Sequence, residues 1–125
     1  MLEKSDTAIL PSSTLNHYQL DCLSTLVYDK DNEKMISKII DLAKDYSSPA
    51  IVCCQENAKL YPFQNVITVA SRNDLMAYSK NLFSALRKAS SLVPDMVFIE
   101  GVTKENLGIA IMDRLEGVCK KKFFG

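Results

Sequence analysis

The chain is 125 residues long, 47% hydrophobic and 24% charged, with 15 basic residues balanced by 15 acidic ones. That length suits one domain able to bury roughly two-thirds of its unfolded surface. Zero net charge supplies no field to draw nucleic acid or an anionic membrane, and no apolar run is long enough to cross a bilayer.

The first residues, MLEKSDT, carry charge where a signal peptide needs an apolar core, which makes a cytoplasmic location the expectation. Residues 1–20 read as an extended lead-in, with a turn-like Pro11-Ser12-Ser13-Thr14 and no helical or strand period. Residues 21–125 read as one α/β domain. Cys22 to Tyr28 is a short β-prone run stopped by Asp29-Lys30-Asp31-Asn32, in which Asp31 is placed to cap a helix. Met35, Ile36, Ile39, Ile40, Ala43 and Tyr46 then recur at helical spacing among lysines and aspartates, an amphipathic helix with one face committed to a core.

Ser47-Ser48-Pro49 breaks that helix. Ala50 to Cys54 is continuously apolar, as in a strand buried on both faces. Glu56 to Leu60 suits a single helical turn, and Val66 to Ala70 a third strand. Ser71-Arg72-Asn73-Asp74 has the S-x-x-D form of a capping box. The helix it opens puts Leu75, Met76, Leu82, Phe83, Leu86 and Ala89 on one side, and Leu92-Val93-Pro94 ends it. Met96 to Ile99 is a fourth strand, closed by Glu100-Gly101 and followed by a helix around Gly108 to Leu115. Val118 to Phe124 adds a short terminal strand. Strands alternating with helices predict an α/β fold: a Rossmann-like three-layer sandwich with a mostly parallel sheet of four to five strands. Their order in the sheet is not legible.

The four cysteines, Cys22, Cys53, Cys54 and Cys119, form no C-x-x-C pair. Cys53 and Cys54 are neighbours in a strand and point to opposite faces, so they suit neither a mutual disulfide nor one metal. With His17 the sole histidine, ligand spacing for zinc is missing and no metal site is expected. Neither the dinucleotide fingerprint nor the P-loop occurs, and no catalytic constellation stands out. His17-Tyr18, in the lead-in, pairs an imidazole with a phenol: either a loop touching a ligand or another domain, or a linker whose tyrosine packs on the sheet edge. Ser71, Glu100, Gly101 and Gly108 are candidates for a pocket beyond the strand ends. Glu100 would hold a cation or amine, Gly101 would provide a positive φ or a close approach, and Gly108 would leave N–H groups free for an anion. The plainer reading is turn chemistry and close helix–sheet packing. Asp113-Arg114 reads as a solvated pair or an arginine reaching a carboxylate. Lys120-Lys121-Lys122 reads as an edge guard rather than a phosphate contact.

Residues 75–118 resemble the C-terminal Sua5 domain of threonylcarbamoyl-AMP synthases. The matching residues are Leu82-Phe83 and Leu86-Arg87 in one helix, Ile99-Glu100 at a strand end, and Leu107-Gly108, Ala110 and Asp113-Arg114-Leu115 in the last helix. The lead-in is similar to the family's S-P-G-M-x-x-x-H-Y-A-P linker: Pro11, His17 and Tyr18 fit its spacing, while Ser12-Ser13 and Gln19-Leu20 depart from it. The resemblance implies an accessory, regulatory domain of an enzyme that makes threonylcarbamoyl-adenylate from threonine, bicarbonate and ATP for the t6A modification of tRNA. It implies a linker, with Pro11, Ser12, His17 and Tyr18 as ligand contacts, that closes as a lid on a YrdC-like catalytic domain. That domain would be the partner, in cis or in trans. The tRNA pathway would be served indirectly, with no direct nucleic-acid contact and no membrane. No catalytic residue or cofactor is expected in this chain, ATP and Mg2+ belonging to the full-length enzyme, and no synthase activity in isolation. The alternative is a stand-alone small-molecule or nucleotide-binding Rossmann-like module.

Overall fold

Residues 23–125 are those the computed structural model describes, and among them the alternation of apolar side chains along the strands fixes the architecture. Five strands form one sheet: β1 (Ser24–Tyr28), β2 (Pro49–Cys53), β3 (Asn65–Thr68), β4 (Met96–Glu100) and β5 (Lys121–Phe124). Every pairing is parallel, in the order β3-β2-β4-β1-β5. Among the described residues three helices cross between them, α1 (Asn32–Ala43), α2 (Leu75–Ser91) and α3 (Leu107–Val118), with a short 3-10 turn at Ala58–Leu60. The outcome is the expected three-layer α/β fold, with the fifth strand present and no antiparallel member among the described residues.

Successive residues of each central strand fall into two separate cores. Leu26, Ala50, Val52, Cys54, Val97 and Ile99 pack beneath α2 and α3 with Tyr78, Leu82, Leu86, Ile111, Met112 and Leu115. Val27, Ile51, Cys53, Met96 and Phe98 pack on the other side with Met35, Ile36, Ile39 and Ala43 of α1. Because strand side chains alternate in direction, the continuous apolar runs feed both faces, and Cys53 and Cys54 are buried in different cores.

The helix starts follow local chemistry. The Asp31 carboxylate accepts from the N–H groups of Glu33 at 3.0 Å and Lys34 at 3.2 Å, so Asp31 caps α1 as expected. The α2 start differs from the expected box: Asp74 is the cap, accepting from Ala77 N–H at 3.1 Å, and Ser71 lies outside the helix. Met76, placed with the apolar face in the sequence reading, is 61% exposed, and Tyr78 and Ala85 take the buried positions. One turn further along, Leu82 and Leu86 keep the core stripe. Arg114 of α3 reaches no carboxylate among the described residues but lies 5.8 Å from the centre of the Phe83 ring, joining the two helices of one face through a cation–π contact. No helix among the described residues is long and apolar enough to cross a membrane.

Candidate functional site at the carboxyl ends of the strands

β1 leads into α1 on one face and β4 leads towards α3 on the other, so the two adjacent strands diverge at their carboxyl ends. In an open parallel sheet this is where ligands collect. The Tyr28 hydroxyl and the Thr103 Oγ1 span the divergence at 2.7 Å. At the same end stands Glu100, the last residue of β4, with no accessible surface at all.

A buried carboxylate is costly unless its oxygens meet donors. Glu100 Oε1 accepts from Cys54 N–H at 3.0 Å. Its Oε2 accepts from Asn57 Nδ2 at 2.8 Å and from the Tyr61 hydroxyl at 2.5 Å. Arg72 brings a guanidinium nitrogen to 3.8 Å from Oε1. Asn57 exchanges two amide bonds with Asn32, at 2.8 and 2.9 Å, and Arg72 donates to Asn32 Oδ1 at 2.7 Å. The Tyr78 hydroxyl donates to the Glu100 carbonyl at 3.3 Å. One carboxyl group thus ties together the ends of β2 and β4, the 3-10 turn, the loop before α2 and the first turn of α1. All its partners are donors from within the chain, so its acceptor capacity is spent on the fold rather than held open for a cation or amine.

Beside this hub lies an exposed second layer. Glu56 accepts from the Ser71 hydroxyl and from Arg72 N–H at 2.9 Å. The hydroxyl first, and the backbone N–H next, hold its carboxyl down at about 2. Burial, with the nearby Glu100 adding to it, pushes Cys54 up to about 11, and burial pushes Cys119 to about 11. Burial and Glu100 likewise raise Cys53, Tyr61 and Tyr78 above their ordinary values. These thiols and phenols are protonated donors at neutral pH, unsuited to act as nucleophiles.

The structure brings Ser71, Glu100 and Gly101 to one end of the sheet. Of the two roles offered for Gly101, close approach is the one found: its φ is not positive, and an added Cβ would lie 2.8 Å from Tyr28 Cβ and 3.0 Å from Met112 Sδ. Gly108 does not open α3, which begins at Leu107. Its N–H donates to Glu105 O at 2.8 Å instead of standing free, and an added Cβ would sit 1.9 Å from the Thr103 carbonyl oxygen. Pro11, Ser12, His17 and Tyr18 lie outside the described residues. Asn32, Asn57, Tyr61 and Arg72 were not singled out from sequence. The available signal was Glu100 itself, a carboxylate ending an apolar strand, which requires donors without saying which loops supply them. Among the described residues no group of three or more His, Cys, Asp or Glu side chains could hold a metal ion. A separate cavity of about 280 Å³ opens between α1 and β5, lined by Lys34, Lys38, Phe123 and Phe124 among others.

Sheet order, layers and strand-end hub together define a Rossmann-like α/β module. The family described as threonylcarbamoyl-AMP synthase, C-terminal domain, matches residues 2–117. The chain belongs to that family. Among solved structures it is similar to P. abyssi Sua5 complexed with L-threonine, at 22% identity and a TM-score of 0.73, covering 87% of this chain and 32% of that one. It is also similar to a variant of P. abyssi Sua5 in which an adjacent histidine and tyrosine are both replaced by alanine, at 22% identity and a TM-score of 0.67, covering 85% of this chain and 31% of that one. The C-terminal Sua5 domain of a hypothetical Sua5 protein from Pyrococcus horikoshii is matched over 99% of its length and 85% of this chain, at 23% identity and a TM-score of 0.62. This chain therefore spans about a third of the length of the P. abyssi proteins it matches.

Proposed function

We propose that this chain is the accessory domain of a threonylcarbamoyl-AMP synthase and works on a YrdC-like catalytic domain, residues 1–20 serving as the lid. The reading is carried by the family match, which begins at residue 2 and so takes in the lead-in as well as the α/β body. It is supported by the partial coverage of the longer relatives, since a domain of this size accounts for about a third of them. The chain's one histidine stands in an adjacent histidine–tyrosine pair, His17-Tyr18, and such a pair is the one altered in the P. abyssi variant.

Threonylcarbamoyl-adenylate is a mixed anhydride open to attack by water, and a lid that closes over it lengthens its life. In this scheme Pro11, Ser12, His17 and Tyr18 of the lid contact the ligand. ATP, Mg2+ and threonine are held by the catalytic partner, and no step of adenylate formation falls to this chain. Service to tRNA is indirect, through the product. The α/β body, tied by Glu100, gives the lead-in a rigid anchor at Leu23. The test adds the full chain to a separately prepared YrdC-like domain supplied with threonine, bicarbonate and ATP. Calorimetric binding and a higher yield of threonylcarbamoyl-AMP support the reading; absence of both sinks it.

A further inference from the structure

The sheet has two edges, and they are finished differently. β5 carries Lys121 and Lys122, both exposed, and its phenyl rings lie beneath cations: Lys38 over Phe123 at 5.0 Å and Lys104 over Phe124 at 5.7 Å. Lysines on an edge strand discourage pairing with another chain. β3, at the other edge, reads Asn-Val-Ile-Thr, with no charge, no proline and no glycine. A groove of about 450 Å³ runs along it, lined by the six consecutive residues Gln64 to Val69 and bounded by α2, and Lys88 is the one charged residue of its lining.

The ladder shows which peptide groups point away from β2. Cys53 lies opposite Thr68, and Val69 N–H donates to Cys53 O at 2.9 Å. In a parallel pair that pattern turns the peptide groups of Asn65, Ile67 and Val69 towards β2 and those of Val66 and Thr68 outwards. Two N–H groups and two carbonyls, two residues apart, therefore face the groove with no strand among the described residues to pair with.

From this edge we infer that β3 is a self-pairing surface, whose occupant is β3 of a second copy of the chain, antiparallel about a two-fold axis. One two-fold register pairs the outward groups of both Val66 and Thr68. Val66 pairs with Thr68 of the second copy, and Thr68 with its Val66, with Ile67 facing Ile67 across the axis. The same patch serves on both copies, as an isologous contact requires, and the neutral strand sets no like charges opposite each other within the ladder. The two sheets become one of ten strands, with the lysine-guarded β5 edges at its outer ends. This pairing is independent of any catalytic partner.

Sedimentation velocity on the full chain, from about 1 μM to about 1 mM, covers the affinities expected of a small interface. The expected result is a concentration-dependent dimer, with hydrogen exchange at the Val66 and Thr68 amides slowing as the dimer forms. Thr68→Pro removes only an outward N–H and leaves the β2 ladder whole, so it raises the dissociation constant by about tenfold or more. Thr68→Lys, which adds a guard without touching the backbone, weakens pairing in the same direction if the proline variant does not fold. A chain monomeric throughout overturns the inference. So does a dimer indifferent to both substitutions, and so do Val66 and Thr68 amides already protected in the monomer, which would mean that another segment covers the edge.

Discussion

Glu100 is the residue on which the strand ends depend. Its two oxygens meet the Cys54 N–H, the Asn57 amide and the Tyr61 hydroxyl, with the Arg72 guanidinium alongside. Glu100→Gln keeps the shape but turns one acceptor into an NH2 group that must face a donor, which should cost about 1–3 kcal/mol. Glu100→Ala leaves three buried donors and a cation without their acceptor, and should cost about 3–5 kcal/mol. In a domain of this size each kcal/mol lowers Tm by about 4–8 °C, so calorimetry separates the two variants. An Ala variant no less stable than the Gln variant would contradict the hub. Glu56 gives the pH signature. Its carboxyl is held down at about 2 in the fold, against an ordinary value of 4.5, so its contribution is complete above pH 4.5 and disappears as pH falls towards 2. Ser71→Ala removes the main cause, and the Glu56 midpoint read by carbon NMR should rise towards 4.5. An unmoved midpoint would show that Ser71 does not hold it.

The elements begin and end where small backbone facts demand it. α2 stops through Leu92 N–H to Ala89 O and Val93 N–H to Ser90 O, with Val93 at φ 51° and 83% exposed. A β-branched residue is strained in that left-handed conformation, where helix ends favour glycine. Val93→Gly should therefore stabilise the protein by about 0.5–1 kcal/mol, seen as a higher Tm, and a lower Tm would contradict the strain. Gly108→Ala should do the reverse, because the new methyl meets the Thr103 carbonyl. The capping of α1 at Asp31, the opposite burial of Cys53 and Cys54, and the terminal strand were all legible, because each rests on local chemistry or on strand alternation. The start of α2 was not. Ser71 and Asp74 are both good caps, and the competition was decided by Glu56, which engages the Ser71 hydroxyl from a loop fifteen residues earlier. Met76 was misplaced for a different reason: at helical spacing it falls about 120° round from Leu82, off the stripe that Tyr78, Leu82, Leu86 and Ala89 set, wherever the helix begins.

At the scale of the molecule, sequence reached the layers and the family but not the sheet order. The run from β1 to β2 skips a place that β4 later fills, and no residue in either strand announces that gap. The motif residues acquire physical reasons in the fold. Leu82 and Leu115 share one core, Arg114 lies over Phe83, Gly108 allows α3 to approach the Thr103 carbonyl, and Glu100 closes the strand ends. The candidate pocket was only partly legible, because the donors that fill it arrive from loops distant in sequence. The proposed lid contacts, His17 and Tyr18, precede Leu23 in the chain. The decisive measurement is the rate at which threonylcarbamoyl-AMP held by the YrdC-like domain is lost to water, with this chain present or absent. The account predicts slower loss with the intact chain, and no slowing with the His17→Ala, Tyr18→Ala double variant at unchanged Tm. Equal rates in all three cases would contradict it.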